Sequence, residues 1–381
     1  MSRTKKFKMT DLGPIPEDWE VRTLGEIGDP LMCKRILKSQ TKECGDVPFY
    51  KIGTFGDKPD AYIDRSVFEY FRDHYSYPRK GDILLSAAGT IGRVVVFDGK
   101  DSYFQDSNIV WIRNDESKVL NEYLKLCYQT TDWQTEDGGS VSRLYNDNLK
   151  STKIKFPVAA EQRRIAAALS DADELIAALT ELLEKKRNLK QGAMQQLLTG
   201  KRRLPGFKGK WVERSIGSLC KICNGRDYKH LSPGDIPVYG TGGEMARVSA
   251  WLYDGETVCI GRKGTIDQPQ YHSGKIWTVD TLFYTSQFNG VVPKWLYYKF
   301  LLVDWKSYNA ASGVPSLTSK NIEQIELSLP QEIEEQCAIA EVLTDMDEEI
   351  AGIEAELEKA KNVKTGMMQQ LLTGKVRLEE A

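Results

Sequence analysis

One segment of this chain occurs twice. Residues 161–204 read EQRRIAAALSDADELIAALTELLEKKRNLKQGAMQQLLTGKRRL, and residues 335–378 read EQCAIAEVLTDMDEEIAGIEAELEKAKNVKTGMMQQLLTGKVRL. They align without a gap, with 26 of 44 positions identical, and such self-similarity marks a duplicated architecture. Both copies carry apolar residues at alternating steps of four and three. In the first copy these are Ile165, Leu169, Ala172, Ile176, Leu179, Leu183, Ala193 and Leu197. In the second they are Ile339, Leu343, Met346, Ile350, Ile353, Leu357, Ala360, Met367 and Leu371. That is a coiled-coil seam, and a seam demands a partner helix. Lys186, Lys190 and Lys364 interrupt it toward the C-terminal ends, which predicts that the helices part there. Gly200 and Gly374 stand where a left-handed glycine stops a helix. Pro157 and Pro330 end extended segments just before the helices begin.

The flanking regions repeat more weakly. Residues 19–27 parallel 211–219, and Pro48 and Pro237 each precede an aromatic-glycine turn. Residues 81–86 parallel 255–260, and each stretch leads to Gly-Thr-Ile, at 89–91 and 264–266. Asp106 parallels Asp280, and 144–157 parallels 317–330. The division is therefore a first domain (1–158), a central helical segment (159–204), a second domain (205–331) and a distal helical segment (332–381). Short β-branched and aromatic runs at 83–86, 94–97, 109–112, 257–260 and 278–285 read as strands. One short helix is predicted in each domain, at 122–129 and 294–304. A helix of about 38 residues spans about 57 Å. The first carries the chain from one domain to the other, so the second must run back along it. The fold class is thus α+β: two mixed α/β domains, mostly β, separated by an antiparallel two-helix coiled coil in a pseudo-twofold tandem repeat.

Chemistry-bearing motifs are missing where an enzyme would need them. Residues 198–201, LTGK, lack the upstream glycine and the Ser/Thr of a phosphate loop. No Asn/Asp-Pro-Pro-aromatic motif of an amino-methyltransferase occurs. Gly240, Gly242 and Gly243 are followed by no amphipathic helix and read as a turn. Cys220 and Cys223 form one C-x-x-C without the second pair a structural zinc requires, so they read as core cysteines on a strand. His74, His230 and His272 show no ligand spacing, and no carboxylate pair fits an acid–base motif. Catalytic residues, metal ligands and cofactors are therefore expected to be absent. Seven scattered cysteines suit a reducing cytoplasm better than a disulfide framework. No apolar run approaches the roughly 18–20 residues of a membrane span, and Met1 to Thr10 reads as a mobile basic tail rather than a leader. The net charge of −2 announces no nucleic-acid binder; the acid is concentrated in 331–381, with 13 acidic against 5 basic residues.

The combination is more telling than any part. Phe156-Pro157 followed by EQRRIA and LLTGK, and again Leu329-Pro330 followed by EQCAIA and LLTGK, resembles the conserved regions of type I restriction-modification specificity subunits. GDILLS…GTIG at 81–92, and the openings around Trp19 and Trp211, look like signatures of their target recognition domains. The resemblance covers nearly the whole chain. It departs at Asp267, where the first copy has Gly92, and at Cys337, where the first copy has Arg163. It implies that each domain reads one half of an interrupted sequence in double-stranded DNA. It implies that the paired helices set the spacer and dock two methyltransferase subunits, joined by restriction/translocase subunits. S-adenosylmethionine, ATP and Mg would then belong to those partners, which methylate adenine and cleave unmethylated DNA.

Phosphates are held by Lys, Arg, Ser/Thr and backbone amides, and bases are read by Arg, Lys, Asn, Gln and small polar groups. Loops on a rigid scaffold usually carry such contacts. The candidates in the first domain are Lys51, Thr54, Arg79, Arg93 and Arg143. In the second they are Tyr239, Thr241, Arg262, Lys263, Ser316 and Lys320. Partner contacts are expected on Glu348, Glu349, Glu356 and Glu358 and on Lys185 to Lys190, unless these faces pair with each other. The competing reading, a coiled-coil scaffold without DNA binding, explains the helices but not the two duplicated β-rich domains.

Overall fold

The computed structural model describes residues 6–133 and 143–378. The chain forms two compact units: residues 1–177 with 358–381, and residues 178–357. Both long helices, Ala159–Leu197 and Ile333–Leu371, pass from one unit into the other.

In the first unit, a four-stranded antiparallel sheet runs in the order Pro30–Met32, Ile109–Ile112, Ile83–Ser86, Val94–Val96. A smaller sheet joins Tyr62–Ile63, Val47–Tyr50 and Tyr103–Phe104, the last pair parallel. Glu20–Thr23 pairs with Lys153–Phe156, tying the start of the domain to its end. The second unit repeats this plan. Its first sheet orders Lys221–Asn224, Leu282–Ser286, Thr257–Gly261, Gln270–His272, all antiparallel. Its second sheet centres on the parallel pair Pro233–Gly240 and Lys275–Thr278, and Trp211–Ser215 pairs with Glu326–Pro330.

The seam residues lie on the inner faces of the helices, all buried or half-buried. In the first unit Ile165, Leu169 and Leu371 join a core with Trp19, Val110, Tyr123 and Ile154. In the second, Leu197, Ile339 and Leu343 join Ile222, Trp295 and Leu327. The helix segments run antiparallel in each unit. Glu161 meets Arg377 and Asp173 meets Lys364 in one; Lys186 meets Glu349 and Lys190 meets Asp347 in the other. The interrupting lysines therefore do not part the helices. Each reaches across to a carboxylate, so its apolar stem stays in the seam while the ammonium is paired. Both helices end as predicted: Gly200 and Gly374 adopt φ of 70°, and Arg202 and Val376 N–H donate back to Gln196 and Gln370.

Three other expectations change. Residues 278–285 are two strands. The chain leaves the second sheet at Thr278, turns at Val279 to Thr281 with Leu282 N–H on Val279 O, and enters the first sheet at Leu282. The helix predicted at 294–304 spans Pro293–Phe300, because the Trp305 indole N–H takes the Phe300 carbonyl and starts a separate 3-10 turn at Trp305–Tyr308. The supposed tail is partly ordered: Phe7–Thr10 forms a hairpin with Gly13–Pro16, closed by the Thr10 hydroxyl on Gly13 O. Residues 1–5 lie outside the described residues. No helix among the described residues is long and apolar enough to cross a membrane.

Candidate nucleic-acid interface

In the first domain, strand Ile83–Ser86 leads into Gly89, Thr90, Ile91 and Gly92 and returns at Val94. The Ser86 hydroxyl closes this loop by donating to Thr90 O (2.6 Å) and accepting Arg93 N–H (2.8 Å). Gly92 has φ 88°, and a Cβ there would stand 2.7 Å from the Trp133 ring, so the first copy needs glycine. The neighbouring turn at Lys51 to Asp57 is shaped by the Thr54 hydroxyl, which accepts Lys51 N–H (3.1 Å). Arg93 Nη1 donates to Phe55 O (2.7 Å) and staples the turn to the loop. Arg143 bridges Ala88. Lys51, Thr54, Arg93 and Arg143 thus gather at one end of the sheet. Lys51 is ion-paired with Asp60 at 2.8 Å. Arg79 stands apart. Its N–H is held by Asp82 (2.8 Å) at the other end of Ile83–Ser86, a four-residue strand or roughly 13 Å away.

The second domain repeats the arrangement. Strand Thr257–Gly261 runs into Arg262, Lys263 and Gly264. A Cβ on Gly261 would stand 2.0 Å from Thr265 O, and Gly264 has φ 87°. Lys263 bridges Ser316 as Ala88 bridges Arg143, and Gly264 N–H donates to Pro315 O (2.9 Å). The β-hairpin that turns at Thr241 and Gly242 lies beside this loop: a Cβ on Gly264 would be 4.0 Å from Thr241 Oγ1. Tyr239, Thr241, Lys263 and Ser316 therefore cluster. Arg262 is half-buried, with Nη1 on Asp280 O (3.3 Å) and its guanidinium 5.9 Å over Phe283, so it is less free than Lys263. Lys263 is exposed and enters no ion pair among the described residues. Lys320 sits on the short helix Ser319–Glu323, which packs on Lys221–Asn224 and Ile216–Leu219 rather than on the loop. Asp267, at the Gly92 position, pairs with Lys306 at 2.7 Å, which holds its carboxyl below the usual range.

Sequence reasoning missed the joints that fix these domains on the helices. Gln162 Oε1 accepts Leu120 N–H (2.8 Å), and its amide donates to Lys118 O and Pro157 O. Gln336 does the same with Val292 N–H, Gly290 O and Pro330 O. Glu161 and Glu335 are fully buried and are each gripped in a fork by an arginine, Arg377 and Arg203. Each guanidinium lies 5.8 Å from the ring of the domain's opening tryptophan, Trp19 or Trp211. Arg377 also binds Asp18, and Trp19 Nε1 donates to Glu161 (3.1 Å). The signal was available: Glu-Gln and the late arginine recur in both copies of the repeat.

Expected partner-binding charges are partly spent within the molecule. Lys186, Lys190 and Arg187 pair with Glu349, Asp347 and Glu354. Cys220 is buried at the end of Ile216–Leu219 and Cys223 lies on a strand beside the Ser286 hydroxyl. Among the described residues no group of three or more His, Cys, Asp or Glu is placed to hold a metal ion.

The type I restriction modification DNA specificity domain matches residues 16–189 and again 208–362, and the chain belongs to this family of specificity subunits. A Haemophilus influenzae protein described as the type I restriction enzyme specificity subunit S.HindORF215P is 57% identical over 167 residues, 44% of this chain and 43% of that relative, less than half its length. The MjaX specificity subunit description belongs to a Methanocaldococcus jannaschii protein that is 26% identical over 99% of this chain and 98% of the relative. Among solved structures, the S subunit of a type I restriction-modification system from M. genitalium shares the fold over 100% of both chains, at TM-score 0.67 and 18% identity. A chain from a structure concerned with assembly of the type I R-M system matches over 95% of this chain and 99% of its own, at TM-score 0.57 and 17% identity.

Proposed function

We propose that this chain is the DNA-reading subunit of a type I restriction-modification complex, with each domain reading one half of an interrupted double-stranded target. The observation that carries this is the second occurrence of one exposed cluster. In both domains a left-handed-glycine loop at a strand end is bridged to the segment before the last short helix, next to a glycine-rich turn, with cationic side chains exposed around it. Ordered loops with exposed amides and cations suit phosphate and base contacts. In the same reading, the long helices set the spacer and receive two methyltransferase subunits, with restriction/translocase subunits joining them. S-adenosylmethionine, ATP and Mg act in those partners, and the complex works in the cytoplasm on adenine in each half-site. This chain supplies no catalytic group. A scaffold without DNA binding would leave both loop clusters without a use.

The test is methylome sequencing of cells that express the chain with its cognate methyltransferase subunit. An interrupted motif, methylated at adenine in both halves and absent without this chain, is the expected result. No new methylation would favour the scaffold.

A further inference from the structure

The second domain holds its reading turn with a device the first domain lacks. Strand Gln270–His272 is the edge of its sheet, with Gln270 opposite Cys259 and His272 opposite Thr257. Strand alternation puts Gln270 and His272 on one face and Tyr271 on the other, where Lys294 lies 4.1 Å from the Tyr271 ring. The Gln270–His272 face meets the end of Pro233–Gly240. Gln270 Nε2 donates to Gly240 O (3.0 Å) and Thr241 O (3.2 Å). Its Oε1 lies 3.1 Å from His272 Nε2, so the imidazole N–H donates and the amide has a single satisfied orientation. The Tyr239 ring stacks on His272 at 3.7 Å and 23°. Burial pushes the His272 pKa down to about 4, so the ring is the neutral donor near pH 7. Three consecutive residues, Tyr239, Gly240 and Thr241, are thereby fixed from one edge strand.

The equivalent strand of the first domain is Val94–Val96, in which Val94 faces Leu85 and Val96 faces Ile83. By register, Val94 stands for Gln270 and Val96 for His272, and neither has a polar group. The first domain's turn is held instead by Gln105 Oε1 on Ile52 N–H (2.9 Å) and by Arg93 on Phe55 O. Tyr271, on the opposite face, packs against the domain's main apolar core, while Gln270 and His272 are half-buried. Their polar groups serve the turn. A turn with glycine at 240, 242 and 243 is costly to order on binding, and a contact pays in affinity only when that order exists beforehand.

We infer that Gln270 and His272 are positioning residues for base reading by the second domain, holding Thr241 and the adjoining Lys263–Gly264 loop in the geometry that selects its half-site. This rests on the DNA-reading assignment above. The test is the methylated motif of the whole complex carrying Gln270→Met, which keeps length and removes the amide, or His272→Phe, which keeps the stack and removes the N–H. In each variant one half-site relaxes, with methylation of a mismatched sequence rising about tenfold, the size of one lost base contact. The other half-site stays as in the wild type. An unchanged motif in both variants would overturn the inference. So would loss of all methylation in both, which would make the residues supports of the fold. A wild-type complex that methylates no motif would instead sink the DNA-reading assignment itself.

Discussion

The two halves of this chain differ least where backbone groups are buried and most where loops meet solvent. Glu161–Gln162 and Glu335–Gln336 make nearly the same bonds to their own domains, although the domains share few side chains. A buried amide or carbonyl must keep a partner, so each glutamine is constrained by groups no substitution can remove. The glycine-rich turns have no such constraint, and each has found its own anchor: Arg93 and Gln105 in one, Gln270 and His272 in the other. The helix ends give an intermediate case. Lys299, on the short helix of the second domain, donates to Leu198 O at the end of the first long helix (2.7 Å). Its counterpart is Cys127, buried and lining a cavity of about 760 Å³ beside Met368 and Leu372. Lys155, half-buried on Lys153–Phe156, lines the same cavity. The Lys299 bond sets a cation on a helix C-terminus, where it is favourable, whereas the first domain has a thiol at the matching position.

The largest effect should come from the forks. Glu335→Ala leaves Arg203 with Gly209 O as its one hydrogen-bond acceptor among the described residues and should cost about 3 kcal/mol in urea unfolding, as for one orphaned partner of a buried pair. Glu161→Ala should cost about the same, roughly 3 kcal/mol, because Arg377 keeps Asp18 while the buried Trp19 indole N–H loses its acceptor. A large difference between the two variants would break this account of the two forks. Next come the loops. Arg262→Ala with Lys263→Ala should weaken DNA binding by the assembled complex and lower the slope of log affinity against log salt by about 1–2. Arg93→Ala should lower that slope by about 1 at most, since its guanidinium is already on Phe55 O. Equal slopes would mean the two loops use their cations alike. Lys190→Met and Lys364→Met should each cost about 1 kcal/mol or less and match one another, as symmetric, partly exposed pairs. The smallest signal concerns pH. Burial lowers the pKa of Lys299, so the folded state releases its proton before the unfolded chain does. Stability should therefore rise as pH climbs toward the ordinary lysine value, and Lys299→Met should flatten that rise. Lys155 behaves likewise, through burial and then Lys375, so the double variant tests whether the two lysines are equivalent.

The duplicated helices, their seam and their glycine stops were legible because periodicity and identity report burial directly. The strands at 83–86 and 109–112 were legible as short apolar runs. The break at Val279 to Thr281 was not, since an apolar run carries no mark of a change of sheet. The lysines in the seam looked like interruptions because their carboxylate partners lie far off in sequence. Lys263 and Ser316 were legible singly, as polar residues beside glycine turns, but their bridge, like that of Ala88 with Arg143, appears only in the fold. Arg79 and Lys320 share the same chemistry, yet the fold puts them elsewhere, and composition beside a glycine turn does not say which end of a strand it faces. Gln270 and His272 were passed over because their value lies in a hydrogen-bond chain visible only once two sheets are in place.

The most direct test of two equivalent, independent readers is an exchange. Residues 205–331 would be replaced by the matching segment of another member of the family, and the motif methylated by the complex sequenced. One half-site should change outright while the other, and its adenine, stay as before. A motif altered in both halves, or in neither, would contradict the assignment of one half-site to each domain.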